Sequence, residues 1–185
     1  MAYKLFDKNG SDRTHHDLQD KGPWCSHGVS KEETFVNRYG EQFSIAINPE
    51  KSTNIYAPDL LNTSNNIIGD LKTQNTPFFQ AKGRYNINPQ YAVTFNVKDY
   101  IRYSTSYPSI EMYFWVYWEI VKFQGTNTIE VDPMEGIWFI PFQNLIEVIK
   151  TSPIHTYQQR MNDTKGNARD SYVLDLQNPL FTKIV

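Results

Sequence analysis

The chain has 185 residues, of which 39% are hydrophobic and 15% aromatic, enough to bury one core, so a single domain is expected. Eighteen basic and twenty acidic residues leave a net charge of -2. No global positive field announces nucleic acid, although a local basic cleft or a bound divalent cation is compatible with that balance. The single cysteine, Cys25, excludes an internal disulfide and a thiolate zinc cluster and fits a reducing compartment.

The opening residues MAYKLFDKNGSDRTHHDLQDKG contain no apolar leader core, and no stretch approaches the roughly eighteen apolar residues of a membrane span. A cytoplasmic chain with no membrane partner is therefore expected. Residues 1–29 are polar and broken by Gly10, Gly22, Pro23 and Gly28, and read as an irregular arm before a single domain over 30–185. His15, His16, Cys25 and His27 fall in this arm, and with no matching second cluster they read as surface rather than as metal ligands.

From Ser30 the run SKEETFVNRYG predicts a helix, with Ser30 as N-cap, Glu33 as its capping-box partner and Gly40 at its end. Phe35, Val36 and Tyr39 form the apolar stripe. Glu32 precedes them by three, four and seven residues and so shares that stripe, whereas Glu33 lies off it. A carboxylate on a buried helical face needs a cation.

FSIAI (43–47) alternates like a strand, Pro49 breaks it, and IYAPDLL (55–61) and NIIGDLK (66–72) follow as two more strands around a polar turn. YAVTFNV (91–97) predicts a strand, with a helical turn after it at KDYIRY. In IEMYFWVYWEIV (110–121) both alternating sets are apolar, which predicts one strand in the middle of a sheet, covered on both faces. GIWFI (136–140), a helix over FQNLIEVIK (142–150) and a short strand YVLDL (172–176) complete an α/β or α+β domain with one aromatic-rich mixed sheet.

The hairpin carries the chemistry. With Ser64 and Asn65 at the centre of its turn, opposed residues have numbers that sum to 129, and Asp59 faces Asp70 with Cα atoms about 4.5 to 5.5 Å apart. Lys72, two residues beyond Asp70, falls on the same face, and a one-residue slip would break the arrangement. Two carboxylates supply hard oxygen ligands for Mg²⁺, which often binds one or two carboxylates plus a substrate phosphate. A lysine beside them can hold a phosphate oxygen or orient water. No P-loop or dinucleotide fingerprint is present, and no Ser/His/Asp order can be read.

These residues resemble the PD-(D/E)XK nuclease superfamily, whose pattern is a helix with an inward glutamate, then strands with a proline-aspartate pair and an acid-x-lysine tripeptide. Here that pattern reads Glu32 in EETFV, Pro58-Asp59 in IYAPDLL and Asp70-Leu71-Lys72 in IIGDLKTQ. The resemblance covers residues 30 to about 80 by motif. It implies a restriction-endonuclease-like fold, a central mixed sheet flanked by helices, and Mg²⁺-dependent cleavage of DNA, with Mn²⁺ as a substitute. It also implies Asp59 and Asp70 as metal ligands, Glu32 as a direct or water-mediated ligand, and Lys72 as the residue assisting the nucleophile. Gln74 would be a substrate contact on the same face. The family includes endonucleases and exonucleases, and an enzyme cutting both strands of a duplex would most simply be a homodimer.

A noncatalytic binding module is the alternative, with Asp59 as a turn residue and Asp70 and Lys72 as a solvent-facing ion pair. The aromatic run 112–118 could stack bases, but core packing accounts for it better. Lys82, Arg84, Lys98, Arg102, Arg160, Lys165 and Arg169 are candidate phosphate contacts.

Overall fold

The structure is a computed structural model and describes residues 3–13, 31–157 and 170–185. In chain order the elements are β1 (Lys4–Asp7), α1 (Lys31–Phe43), β2 (Ile45–Ile47), a 3₁₀ turn (Pro49–Ser52), β3 (Leu60–Asn62), β4 (Ile67–Gln74), α2 (Ala81–Tyr85), a second 3₁₀ turn (Pro89–Tyr91) and β5 (Ala92–Asn96). Then come α3 (Val97–Ser106), β6 (Glu111–Tyr117), β7 (Ile120–Gln124), β8 (Thr128–Glu130), β9 (Glu135–Pro141), α4 (Phe142–Ile149), β10 (Ile154–His155), β11 (Ser171–Asp175) and β12 (Thr182–Lys183).

A six-stranded mixed sheet, ordered β12-β9-β6-β4-β3-β2, forms the centre. Only β4 and β6 run parallel within it, because α2, β5 and α3 intervene between them and return the chain to the same end. The apolar residues of β6 divide as alternation requires. Met112, Phe114 and Val116 join Phe95, Tyr103, Phe142 and Leu145 on the face covered by β5, α3 and α4. Tyr113 and Trp115 join Phe35, Leu71 and Ile137 on the face covered by α1. The expectation of a central strand covered on both sides holds for 111–117.

Beyond Tyr117 the run does not continue as one strand. Trp118 donates its N–H to Met134 O and Glu119 its N–H to Asn75 O, both at 2.8 Å. These bonds end β6, and β7 leaves for a separate three-stranded sheet, β1-β7-β8. There the part of the supposed irregular arm that is described proves to be structured. Lys4–Asp7 pairs antiparallel with β7, and Leu5 is wholly buried. The capping role of Ser30 lies outside the described residues, as do His15, His16, Cys25, His27, Arg160, Lys165 and Arg169.

The first helix passes through Gly40 and stops at Phe43, where Ser44 takes a positive φ of 55°. Gly40 is needed inside the helix rather than after it. A Cβ there would lie 2.6 Å from Ile45 O, so the glycine lets the returning strand β2 press on the helix. Phe43 therefore belongs to α1, and β2 keeps three of the five residues predicted. Ile55 to Ala57 likewise form a turn, because Asn54 Oδ1 takes the N–H of Tyr56 at 3.0 Å and Pro58 has no N–H to give a ladder. The helical turn expected at KDYIRY is a ten-residue helix, α3, with no side-chain cap. Packing of Tyr100 and Tyr103 on Phe142 supports it. No helix among the described residues is long and apolar enough to cross a membrane.

Candidate active site

The hairpin register is Leu60↔Gly69, Leu61↔Ile68 and Asn62↔Ile67, each pair summing to 129. Asp59 immediately precedes β3 and therefore stands across from Asp70. Its Oδ2 accepts the N–H of Leu71 at 3.3 Å. Leu71 faces α1, so Asp70 and Lys72 project to the opposite side, beneath α3. There Lys72 Nζ lies 2.8 Å from Asp70 Oδ2, 2.6 Å from Asp99 Oδ2 and 3.5 Å from the Tyr103 hydroxyl.

The approach of Lys72 to Asp70 is close but is not an aligned hydrogen bond. Asp70 Oδ2 is buried, and the Lys72 ammonium beside it is its close ionic partner.

Glu32 reaches the cluster through a residue that the sequence motifs do not mark. Asn48 caps the first 3₁₀ turn by accepting the N–H of Glu50 at 3.1 Å, and its Nδ2 donates to Pro58 O at 2.9 Å. Its own N–H donates to Asp59 O at 3.0 Å. This buried asparagine fixes the segment bearing Asp59 and launches Lys51 toward it. Lys51 Nζ then donates to Glu32 Oε1 at 3.1 Å and to Asp59 Oδ1. Glu32 is the half-buried member of its pair and Glu33 the exposed one. The Asn-Pro start of the turn was a legible capping signal, but its connection to Asp59 depends on tertiary structure.

Gln74 is occupied elsewhere. Its Oε1 accepts the N–H of Thr94 at 3.0 Å, and its Nε2 donates to Thr76 O at 2.9 Å and Ala92 O at 3.4 Å. Among the described residues the β5 edge has no strand partner on this side, and the amide stitches it to β4. Gln74 thus braces β4 against β5, and its amide is spent on backbone groups of Thr76, Ala92 and Thr94. On α3, Asp99, Arg102 and Tyr103 complete the site. Arg102 Nη2 donates to the Tyr103 hydroxyl at 2.6 Å, and its cation also sits 4.6 Å from that ring's centre.

The electrostatics follow from this crowding. Burial, then the charge of Asp70, push the Asp59 carboxyl up to about 6, against the opposing pull of Lys51. Burial alone would push the Lys72 ammonium down, but Asp70, Tyr103 and Asp99 outweigh it and hold it well above its ordinary value. Lys72 is therefore a fixed cation at neutral pH, suited to stabilising phosphate charge and unsuited to accepting a proton. Burial and Asp70 push the Tyr103 hydroxyl up, so it stays protonated.

Four carboxylates (Glu32, Asp59, Asp70, Asp99) face three cations (Lys51, Lys72, Arg102), a formal balance of 3 − 4 = −1. A phosphodiester would meet net repulsion unless a divalent cation reversed the sign. The donor set fits such an ion: two adjacent carboxylates on neighbouring strand segments are what Mg²⁺ takes when the substrate and water fill its remaining positions. Among the described residues no three acidic, histidine or cysteine side chains converge as a metal cage, and Glu32 stands behind Lys51 rather than beside the pair.

No protein-family model matches the chain, and no match is found among curated proteins or solved structures.

Proposed function

We propose that the protein is a metal-dependent hydrolase of DNA phosphodiester bonds with a restriction-endonuclease-like core. The observation that carries this reading is the placement of Asp59 opposite Asp70 on neighbouring strand segments, with Lys72 on the same face as Asp70 and Glu32 linked to Asp59 through Lys51. The Pro58-Asp59 and Asp70-x-Lys72 motifs support the same superfamily.

Asp59 and Asp70 would hold the metal, with Glu32 joining once Lys51 moves aside. When bound, Mg²⁺ supplies a more acidic water and neutralises charge on the phosphate. Lys72 donates hydrogen bonds to a non-bridging phosphate oxygen, and Asp99 and the Tyr103 hydroxyl hold its ammonium in place. Arg102, behind Tyr103, adds positive charge where the phosphate becomes more negative.

The experiment is incubation of the protein with linear duplex, circular duplex and single-stranded DNA in Mg²⁺, Mn²⁺ or EDTA. Cleavage with either metal and none with EDTA is the expected result, and attack on circular DNA identifies an endonuclease. Absence of cleavage of every form with both metals would overturn the reading.

One observation favours a noncatalytic module instead: each aspartate already has a lysine, Asp59 with Lys51 and Asp70 with Lys72. That reading requires that Mg²⁺ leave the melting temperature unchanged, whereas a metal held only by the folded state raises it.

A further inference from the structure

The segment that delivers Asp59 begins with two exposed apolar side chains. Ile55 and Tyr56 are 79% and 72% exposed, and Ile101, beside Arg102 on α3, is 58% exposed. The remaining exposed large apolar groups among the described residues are less exposed, at 38% to 50%, and lie near the ends of the chain or on β10. Single exposed apolar residues are ordinary, but a group at the rim of a charged site is not.

This ridge is anchored to the site by a chain of polar contacts. Arg102 Nη1 donates to Tyr56 O at 3.0 Å, Arg102 Nη2 reaches the Tyr103 hydroxyl, and that hydroxyl lies 3.5 Å from Lys72 Nζ. The Tyr56 N–H is held by Asn54, the next residue, Ala57, is buried, and Pro58 O is clamped by Asn48. The backbone under Tyr56 is thus fixed on both sides, and its ring is left in solvent. Such a ring can offer a flat face at little cost in ordering.

Resting on the phosphodiesterase reading, we propose that Tyr56, next to Ile55 at the rim of the site, is a stacking platform for an unpaired base next to the scissile phosphate, so that the preferred substrate is single-stranded DNA. A phosphate at Lys72 carries its neighbouring nucleotide past Arg102 toward the ridge. In a duplex, each base face is covered by the next base pair, and what meets the ridge is the hydrated, charged backbone, which an apolar surface does not favour. An unpaired base has a free π-face, and aromatic stacking is largely indifferent to its identity. The platform therefore selects for strandedness rather than for sequence.

The test uses the full chain with Asp70→Asn to prevent cleavage and a single-stranded oligonucleotide carrying the fluorescent base 2-aminopurine, in Mg²⁺. Binding quenches the fluorescence by stacking. Adding Tyr56→Ala abolishes the quenching and weakens affinity about 5- to 150-fold, whereas Tyr56→Phe preserves both. In the cleaving chain Tyr56→Ala raises KM for the single strand more than it lowers kcat. If the wild type cleaves duplex as well as single strands and Tyr56→Ala changes neither, the ridge has another occupant, such as a protein, and the hydrolase reading stands alone. If the wild type neither cleaves nor binds any DNA, both fall.

Discussion

Two carboxylate sites of this protein are buried and treated in opposite ways. Asp7, at the end of β1, accepts the N–H groups of Asn9 and Ser11 at 2.9 and 3.0 Å and Arg13 Nε at 2.9 Å. The Ser11 bond is the chief reason that its carboxyl is held below its ordinary value, with Arg13 and Asn9 adding to the effect against a desolvation cost. Asp59 and Asp70 face each other, Asp59 is pushed upward, and Asp70 is buried against the Lys72 ammonium. The same chain satisfies a carboxylate fully where it closes a turn and leaves a pair strained under α3. A carboxylate pair pushed upward by burial and mutual charge marks a candidate functional site.

The contrast is broken most severely at Lys72. Lys72→Ala leaves Asp70 and Asp99 without their shared cation, which costs about 3 kcal/mol or more of stability. It also lowers the cleavage rate by about 10²- to 10³-fold. Urea unfolding and single-turnover cleavage measure the two effects separately.

Asp59→Asn sharpens the contrast. Because the folded pKa is raised from 3.8 to about 6, the folded state binds more protons than the unfolded state between these values. Its contribution to stability is present below about pH 4 and lost as the pH rises through about 6, a change of up to about 3 kcal/mol. In EDTA the wild type should lose stability over this window, and Asp59→Asn should have a flatter profile with equal or greater stability at pH 7.5. Asp7 has the opposite sign: its contribution is present above its ordinary pKa and lost as the pH falls. Asp7→Asn, the mildest change, lowers the melting temperature at pH 7 and leaves cleavage at the wild-type rate.

Much of this site was legible before the fold was known, because period-two alternation and a short polar turn determine register. Asp59 against Asp70, with Lys72 on their face, follows from those two facts and the numbers of the residues. The helical stripe likewise set Glu32 apart from Glu33. What alternation could not supply was the destination of each side chain. Gln74 falls on the predicted face but meets the edge of β5, Lys51 enters from a short turn with no periodic signal, and Asp99 from a helix legible only as a single turn. Lys4–Asp7 looked irregular because a four-residue strand in a polar context shows its pattern only once β7 lies beside it. The break after Tyr117 was hidden for a related reason. Both strands are apolar there, and only the backbone bonds to Met134 and Asn75 separate them.

The most direct test of the account is the rate of DNA cleavage in Mg²⁺ by Asp70→Asn beside the wild type, with melting curves of both to establish that each is folded. A folded variant at least about 10²-fold slower is the predicted result, since one member of the carboxylate pair has lost its charge while its shape is kept. A folded Asp70→Asn that cleaves at the wild-type rate would contradict the assignment of this pair to the chemistry.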